Sequence, residues 1–293
     1  MHFVEAKGLL TGSGGRYGMN VYRGCTHGCI YCDSRSNCYQ MNHEFEDIEV
    51  KENAIELLEN TLRRKRKHCI IGTGSMSDPY MPLEAQLEYT RKALLLIEKY
   101  GFGATLITKS DRVLRDLDIL KRINQKTKAV VQMTLTTADE ALCKLIEPNV
   151  STTKQRFEAL KILRDNNIPT VVWLCPVLPY INDTEDNIRR ILDMCVAAKV
   201  RGIICFGMGL TLREGNREYF YRQLDKSFPG LKERYIREYG NQYVINSPKS
   251  AELMRLFHRT CEQNGIMHDN DLIFEYLSQF EEKNAPQQLS LWD

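Results

Sequence analysis

Three cysteines grouped between positions 25 and 32 constrain this chain more than any other feature. Cys25, Cys29 and Cys32 form the pattern C-x3-C-x2-C, and Tyr31 stands immediately before the third cysteine. Three thiolates at this spacing can hold one compact metal centre, but a closed tetrahedral zinc site needs a fourth ligand. A [4Fe–4S] cluster held by three cysteines keeps one iron open, and thiolates suit iron–sulfur chemistry. The triplet therefore predicts a metal centre with these three cysteines as its ligands.

Two other roles for the cysteines have to be weighed against a cluster. Cys38 could complete a four-cysteine zinc knot of spacing C-x3-C-x2-C-x5-C. Disulfides are the second alternative, but a chain of 293 residues with ten scattered cysteines is not a small disulfide-stapled scaffold. This cysteine usage is typical of a reducing compartment, so a cytoplasmic location is expected. No apolar run reaches the length of a membrane span, and the N-terminal MHFVEAKGLL lacks the layout of a signal peptide.

Apolar residues alternate along the chain between helical spacing and short runs. Helical spacing is found over 54–62, 83–97, 114–120, 157–163 and 188–195, and short apolar runs over 69–72, 104–108, 129–133, 170–174 and 203–206. A further strand over 19–23 is expected to deliver the cysteines at its carboxyl end. Strands that alternate with helices predict parallel βαβ units, about six of them here. A partial barrel and a doubly wound sheet both give this pattern, although the glycine fingerprint of the latter is absent.

Polar residues follow several of the predicted strands, where the active residues of α/β barrels lie. Ser77 and Asp78 follow the second strand and offer acceptors for an ammonium group, while Lys109 follows the third and can neutralise a carboxylate. Thr134 and Thr136 share one face of the fourth strand and could bind ribose hydroxyls. Taken alone, each has an ordinary structural alternative, namely an Asp-Pro turn, a solvated lysine or a β-branched strand.

Together with the cysteine triplet, these segments resemble one protein family. The stretches NVYRGCTHGCIYCDSR, SDPY, TKS, Glu147-Pro148 and CPVLP are similar to those of the radical SAM superfamily, and in particular of the spore photoproduct lyase family. The resemblance covers roughly residues 15–210. It implies a partial (β/α)6 TIM barrel of the radical SAM type, a [4Fe–4S] cluster on the three cysteines, and S-adenosylmethionine (SAM) bound to the open iron. It further implies that SAM is bound by Ser77, Asp78, Lys109 and Thr134, with Tyr31 beside it.

The reaction implied by this resemblance is reductive cleavage of SAM to methionine and a 5′-deoxyadenosyl radical, which abstracts hydrogen from a substrate. DNA is the expected substrate, with a peptide or RNA as alternatives, and the cluster requires an electron donor. One position departs from the family, because the lyase's hydrogen-donating cysteine corresponds to Ser75 here. A serine O–H bond is too strong for that step. Cys175 and Cys205 are candidates to replace it, although buried cysteines are common without a chemical role.

The chain divides into four expected parts. A lead-in over 1–17 precedes a radical SAM barrel over 18–209, a helical C-terminal extension over 210–283 and a flexible tail over 284–293. In the tail, Gln288–Trp292 resembles the bacterial sliding-clamp-binding peptide, whose apolar anchors enter a preformed groove. Packing of these residues back onto the barrel is the alternative. Two rival functions stay open: a non-catalytic zinc-bearing adaptor docked on the clamp, and a barrel enzyme with redox cysteines but no cluster.

Overall fold

The computed structural model of the chain describes residues 1–13 and 15–283. The strands are β1 His2–Val4, β2 Leu10–Ser13, β3 Arg16–Met19, β4 Tyr22–Arg23, β5 Glu49–Lys51, β6 Ile70–Thr73, β7 Gly103–Thr108, β8 Ala129–Thr134, β9 Thr170–Trp173, β10 Gly202–Ile204, β11 Gly209–Thr211 and β12 Val244–Asn246. The helices are α1 Ala54–Arg64, α2 Glu84–Leu87, α3 Tyr89–Lys99, α4 Leu117–Lys126, α5 Glu140–Ile146, α6 Thr153–Asp165, α7 Glu185–Ala198, α8 Asn216–Ser227, α9 Leu231–Tyr239, α10 Ser250–Gln263 and α11 Asn270–Ser278. The predicted tail, with its clamp-binding peptide, lies outside the described residues.

The central sheet contains seven strands in the order β10-β9-β8-β7-β6-β3-β2. β3 and β6 to β10 run parallel, and β2 pairs antiparallel with β3 at one edge. The parallel strands follow one another in chain order without the reversal of a doubly wound sheet, which confirms the predicted (β/α)6 architecture. Within the described ranges no ladder joins β10 to β2, so the sheet is that of a partial barrel.

Different parts of the chain cover the two faces of this sheet. Successive residues of a strand point to opposite faces. Val131, Val172 and Ile203 belong to the main core, which they share with the helices that connect the strands. The preceding or following residue of each strand faces the other way and forms a second core with α11: Val130, Val171, Ile204, Ile273 and Leu277. α11 therefore covers the face that the connecting helices leave free.

The segment predicted as a lead-in contains β1, β2 and the start of β3. β2 and β3 make a hairpin on the central sheet, and β1, β5 and β4 form a separate small sheet. The strand expected over 19–23 is divided, because Met19 ends β3 while Tyr22 and Arg23 form β4 of the small sheet. Backbone hydrogen bonds hold these short, glycine-containing strands, so they leave little side-chain periodicity for a sequence to show. The small sheet positions the start of the cysteine loop.

The C-terminal part is mostly helical, as predicted, but it also contains a two-stranded sheet. α8 to α11 make up most of 210–283, and β11 pairs antiparallel with β12. This two-stranded sheet contributes Thr211, Val244 and Asn246 to the cavity described below. Among the helices of the described residues, none has the length and apolar character needed to cross a bilayer.

Candidate active site

A cavity of about 450 Å³ opens where the parallel strands end. Segments that follow β6, β7, β8, β9 and β10 all contribute to its wall, and the carboxyl ends of barrel strands are where active residues lie. Eight residues predicted to bind the metal or SAM line this cavity: Cys25, Cys29, Tyr31, Cys32, Ser77, Asp78, Lys109 and Thr134. Thr136, the second candidate for a ribose hydroxyl, does not line it, because its side chain is buried and donates to Glu147 at 3.3 Å. The role of each lining residue remains a prediction.

The loop that carries the cysteines is held through its backbone by the segment that follows α5. The N–H of Ile30 donates to the carbonyl of Ile146 at 3.0 Å, and the N–H of Asn149 donates to the carbonyl of His27 at 3.0 Å. Gly28 has a φ of +73°, and a Cβ there would lie 3.0 Å from a proline ring of the same segment. Glycine fits because it alone combines this conformation with so close an approach. The loop is therefore preformed.

The three thiols have the donor chemistry of a cluster site, and at least one pair of their sulfurs lies farther apart than in a closed zinc site. Zinc at about 2.3 Å from each thiolate holds the sulfurs about 3.8 Å apart. Within the described residues, the trio of potential ligands whose atoms all lie within 4.8 Å of one another is His2, His43 and Glu49, not the cysteines. The wider spread of the cysteines suits ligands that each hold a different iron. Cys38, the fourth ligand of the zinc alternative, is exposed and accepts a hydrogen bond from Arg213 at 3.2 Å.

The three thiols differ in how easily they ionise. Burial opposes ionisation of Cys25, but a hydrogen bond with His27 outweighs it, so the pKa of Cys25 lies below its ordinary value. Burial raises the pKa of Cys29 and of Cys32, even though the charge of Lys109 acts in the opposite direction. Buried thiolates need positive charge nearby, which bound iron provides. The donor set therefore fits an iron–sulfur cluster.

The Asp78 carboxylate already has several donors from the protein. It accepts hydrogen bonds from the hydroxyl of Thr108 at 2.7 Å and from the backbone N–H groups of Lys109 at 2.7 Å and Tyr80 at 2.8 Å. Nδ1 of His27 lies 3.3 Å from the same carboxylate. Burial opposes ionisation, but His27 and the N–H donors outweigh it and lower the pKa of Asp78 to about 2. Asp78 therefore ties the ends of β6 and β7 to the cysteine loop, in addition to the SAM contact predicted for it.

Ser77 and Lys109 keep polar groups available to a ligand in the cavity. The hydroxyl of Ser77 donates to the carbonyl of Gly24 at 2.7 Å, so its oxygen can still accept a hydrogen bond. The ammonium group of Lys109 lies 5.7 Å from the centroid of the Tyr31 ring. Burial opposes its charge, but the Cys29 thiol and other acidic groups nearby outweigh burial and raise the pKa of Lys109 above its usual range. A charged ammonium in a cavity wall is suited to bind a carboxylate.

A buried ion pair supports Tyr31 from behind. The Tyr31 hydroxyl donates to Glu147, whose carboxylate pairs with Arg156 at 2.6 Å, and both charged side chains are fully buried. Arg156 also donates to the carbonyl of Thr134 at 2.7 Å, at the end of β8. In the sequence, Glu147 appears only as part of a quoted motif, and Arg156 is not singled out. Two charges that meet across separate elements leave no spacing signal.

Among the lining residues without a role in the sequence analysis are four with rings or an amide: His27, Trp173, Phe206 and Asn246. His27 stands inside the cysteine triplet, so its position in the motif is the signal that could have identified it. Trp173 and Phe206 lie at the ends of β9 and β10, where the strand-end rule for barrels points to them. Asn246 belongs to β12, a short strand without a pattern that predicts it.

The chain is similar to a known protein family and to uncharacterized proteins of other organisms. Residues 19–195 match the model of the Radical SAM superfamily. An uncharacterized protein of Mycobacterium tuberculosis is 28% identical over 253 residues, covering 82% of this chain and 72% of the relative. An uncharacterized protein of Methanocaldococcus jannaschii is 34% identical over 174 residues, covering 59% of this chain and 64% of the relative.

A solved structure shows the same fold. Spore photoproduct lyase complexed with dinucleoside spore photoproduct superposes with a TM-score of 0.61 at 16% identity, covering 86% of this chain and 75% of the lyase. At this level of identity the likeness concerns the fold. It extends beyond the residues of the family model into the C-terminal part.

Proposed function

The chain belongs to the radical SAM superfamily, and we propose that it cleaves SAM at a cluster held by Cys25, Cys29 and Cys32 in order to abstract hydrogen from DNA. Membership makes the chain an enzyme whose cofactors are a [4Fe–4S] cluster and SAM. One observation carries the rest of the proposal. Three thiols, a charged ammonium and free acceptors from distant parts of the sequence wall one cavity at the strand ends.

Separate strand ends each bind a different part of SAM in this proposal. Lys109 binds the carboxylate, because its ammonium is charged and faces the cavity. Ser77 accepts a hydrogen bond from the amine, and Asp78 holds that segment in place and adds negative charge. Thr134 binds a ribose hydroxyl at the end of β8. Tyr31 lies beside the cofactor, oriented by the buried carboxylate behind it.

When bound, the reduced cluster supplies the electron that cleaves SAM to methionine and a 5′-deoxyadenosyl radical, which takes a hydrogen atom from the substrate. The protein contributes a shielded wall around this chemistry. Cys29 and Tyr31 are only 7% and 6% exposed, and Asp78 is 9% exposed. A wall of this kind keeps water and unwanted hydrogen donors away from a reactive species.

DNA is the substrate we favour, on the strength of the shared fold. Spore photoproduct lyase has this fold, and its structure contains a dinucleoside photoproduct. A low-potential electron donor is the second partner, because the cluster must be reduced before it can cleave SAM. We also favour a cytoplasmic location, since all ten cysteines are free in the structure, as expected in a reducing compartment.

Cys175 is suited to return hydrogen to the product radical. It lines the cavity together with Ser75, the residue that corresponds to the donor cysteine of the lyase, whereas Cys205 bonds to the carbonyl of Gly207. Burial raises the pKa of Cys175 to about 12, so its thiol stays protonated at neutral pH. The product radical takes the hydrogen atom of this S–H bond. The electron donor then returns the thiyl radical to a thiol with one electron and one proton.

Anaerobic reconstitution with iron and sulfide tests the proposal. The expected result is a brown protein that forms 5′-deoxyadenosine from SAM and a strong reductant. Cys29→Ala should lose both the iron and this product, whereas Cys38→Ala, the matched control, should keep both. Full activity in Cys29→Ala contradicts the assignment, and about one zinc per chain with neither iron nor sulfide favours the adaptor. Incubation with DNA, RNA or peptide then identifies the substrate class by the increase in 5′-deoxyadenosine.

A further inference from the structure

Three aromatic rings from separate elements form a cluster beside the cavity. Trp173 ends β9, Phe206 follows β10 and Phe274 lies in α11, and their ring centroids are 6.0, 6.1 and 6.2 Å apart in pairs. The planes of Phe206 and Phe274 differ by 23°, so these two rings are stacked. The indole N–H of Trp173 donates to the side chain of Gln132 at 2.8 Å. Each ring is therefore held in position by its neighbours.

Phe206 is the exposed member of this group. It is 64% exposed, and it lines the cavity together with Trp173. Full burial of a phenylalanine side chain stabilises a protein by about 1.5–3 kcal/mol. Because Phe206 is mostly exposed, it contributes only a small part of this stabilisation. None of the steps described above uses it. A flat ring supported from behind and open in front is suited to a ligand that also has a flat ring.

The chemistry beside Phe206 is that of a nucleobase site. A base stacks on an aromatic side chain with about 1–3 kcal/mol, largely regardless of its identity. Asn246 lies close by, since its Oδ1 is 4.0 Å from where a Cβ on Gly207 would stand, and it is exposed in the cavity wall. Its amide offers both a donor and acceptors to the edge of a base. Peptides are recognised mainly through main-chain hydrogen bonds and side-chain pockets, neither of which needs a bare stacking face.

We propose that Phe206 is the platform on which an unpaired or flipped nucleobase of the substrate stacks, with Asn246 contacting the base edge. This inference rests on the proposed function, because it assigns the substrate end of the same cavity. β7, which leads to Lys109, and β10, which leads to Phe206, are three strand spacings apart, or about 14 Å measured along the curved sheet. The platform thus lies on a different part of the cavity wall from the residue proposed to bind the SAM carboxylate. A base inside a duplex cannot present its face, so it must be unpaired or extruded.

Binding of a short single-stranded oligothymidylate to the reconstituted enzyme tests the platform. The chain has two tryptophans, so a Trp292→Phe background leaves Trp173 as the fluorescent reporter. We expect the oligothymidylate to quench Trp173, Phe206→Ala to weaken its binding about tenfold or more, and Phe206→Tyr to retain it. Val244→Ala is the matched control, because Val244 is an exposed apolar residue of the same cavity wall. An abasic oligonucleotide of equal length should bind the parent and Phe206→Ala alike.

Two results would overturn the platform. One is equal affinity of the parent and Phe206→Ala for the oligothymidylate. The other is a loss of affinity for SAM in Phe206→Ala as large as the loss for the oligothymidylate, which would assign the ring to the adenine of the cofactor. If the parent itself holds no iron and forms no 5′-deoxyadenosine, the proposed function fails, which is a result distinct from failure of the platform.

Discussion

At Lys109, the neighbouring groups set the state of the side chain as much as its own chemistry does. Burial alone favours the neutral amine, but negative charge on the acidic groups around it, Cys29 and Glu147 first among them, favours the ammonium. A SAM carboxylate bound here forms a charge-assisted hydrogen bond, of the class whose net contribution is about 1.5–3 kcal/mol.

We therefore expect Lys109→Met to weaken SAM binding about tenfold or more, while the iron content of the reconstituted enzyme stays unchanged. Lys109→Arg keeps the charge, so its affinity for SAM should lie between those of the parent and Lys109→Met. Calorimetric titration of SAM, together with iron analysis, checks this. If Lys109→Met instead loses its iron and binds SAM as well as the parent, then the lysine holds the cluster loop and does not contact SAM.

The low pKa of Asp78 predicts that the free energy of unfolding decreases at acidic pH. Its pKa falls from 3.8 to about 2 on folding, so the folded state favours the carboxylate. The resulting stabilisation, about 2 kcal/mol, is fully present above the unfolded pKa and is lost as the pH falls from about 4 through about 2. Urea unfolding of the cluster-free protein at neutral pH and near pH 3 measures it. Asp78→Asn should be less stable at neutral pH and should lose less stability on acidification, whereas equal acid slopes for the two proteins contradict this account.

At the scale of elements, the turn that follows β6 depends on a glycine. Gly74 has a φ of +102°, and a Cβ there would lie 2.0 Å from the carbonyl oxygen of Ile107 in the neighbouring strand. Backbone strain and overpacking act together at this position, so we expect Gly74→Ala to cost about 3 kcal/mol or more in the free energy of unfolding.

Gly230→Ala is the matched control for this substitution. Gly230 also has a positive φ, +80°, but no atom lies within 4 Å of the Cβ position. Gly230→Ala should lower the free energy of unfolding by only about 1 kcal/mol, through backbone strain alone. Denaturant unfolding of both variants makes the comparison, and equal losses would mean that the close approach to β7 has no energetic consequence.

Much of the element order could be predicted from sequence, because helices and buried strands of a barrel each bury a regular face. The apolar runs over 104–108 and 129–133 thus predict β7 and β8 closely. The strand-end rule likewise predicts Ser77, Asp78, Lys109 and Thr134 as neighbours. The hairpin of β2 and β3 is held by backbone pairing, which leaves no periodic signal in the sequence. The ion pair of Glu147 with Arg156 forms only in the folded chain, so it leaves none either.

At the scale of the whole molecule, α11 covers the second face of the sheet. Ile273 and Leu277 are fully buried against Val130, Val171 and Ile204, whereas Leu272 in the same helix is 54% exposed. Loss of a fully buried leucine leaves a cavity in this core. We expect Leu277→Ala to destabilise the protein by about 2–5 kcal/mol.

Leu272→Ala, the matched control, should change stability by less than about 0.5 kcal/mol. Denaturant unfolding measures the free energy of unfolding of both variants, and the comparison is valid if their m-values are equal. Because Phe274 lies between the substituted positions, Leu277→Ala should also loosen the cluster of Trp173, Phe206 and Phe274. A stability of Leu277→Ala equal to that of the control would show that α11 is not part of the cooperative core.

The position of α11 also bears on how the molecule is made. This helix follows every strand of the central sheet in chain order, so a nascent chain completes the sheet before it has the helix that covers the sheet's second face. Until α11 leaves the ribosome, Val130, Val171 and Ile204 are uncovered, and an apolar surface of this kind is a target for chaperones. The cysteine loop emerges long before that point. A supply of iron and sulfide could therefore reach the loop before Val244 and Asn246, the last residues of the cavity wall in chain order, have been synthesised.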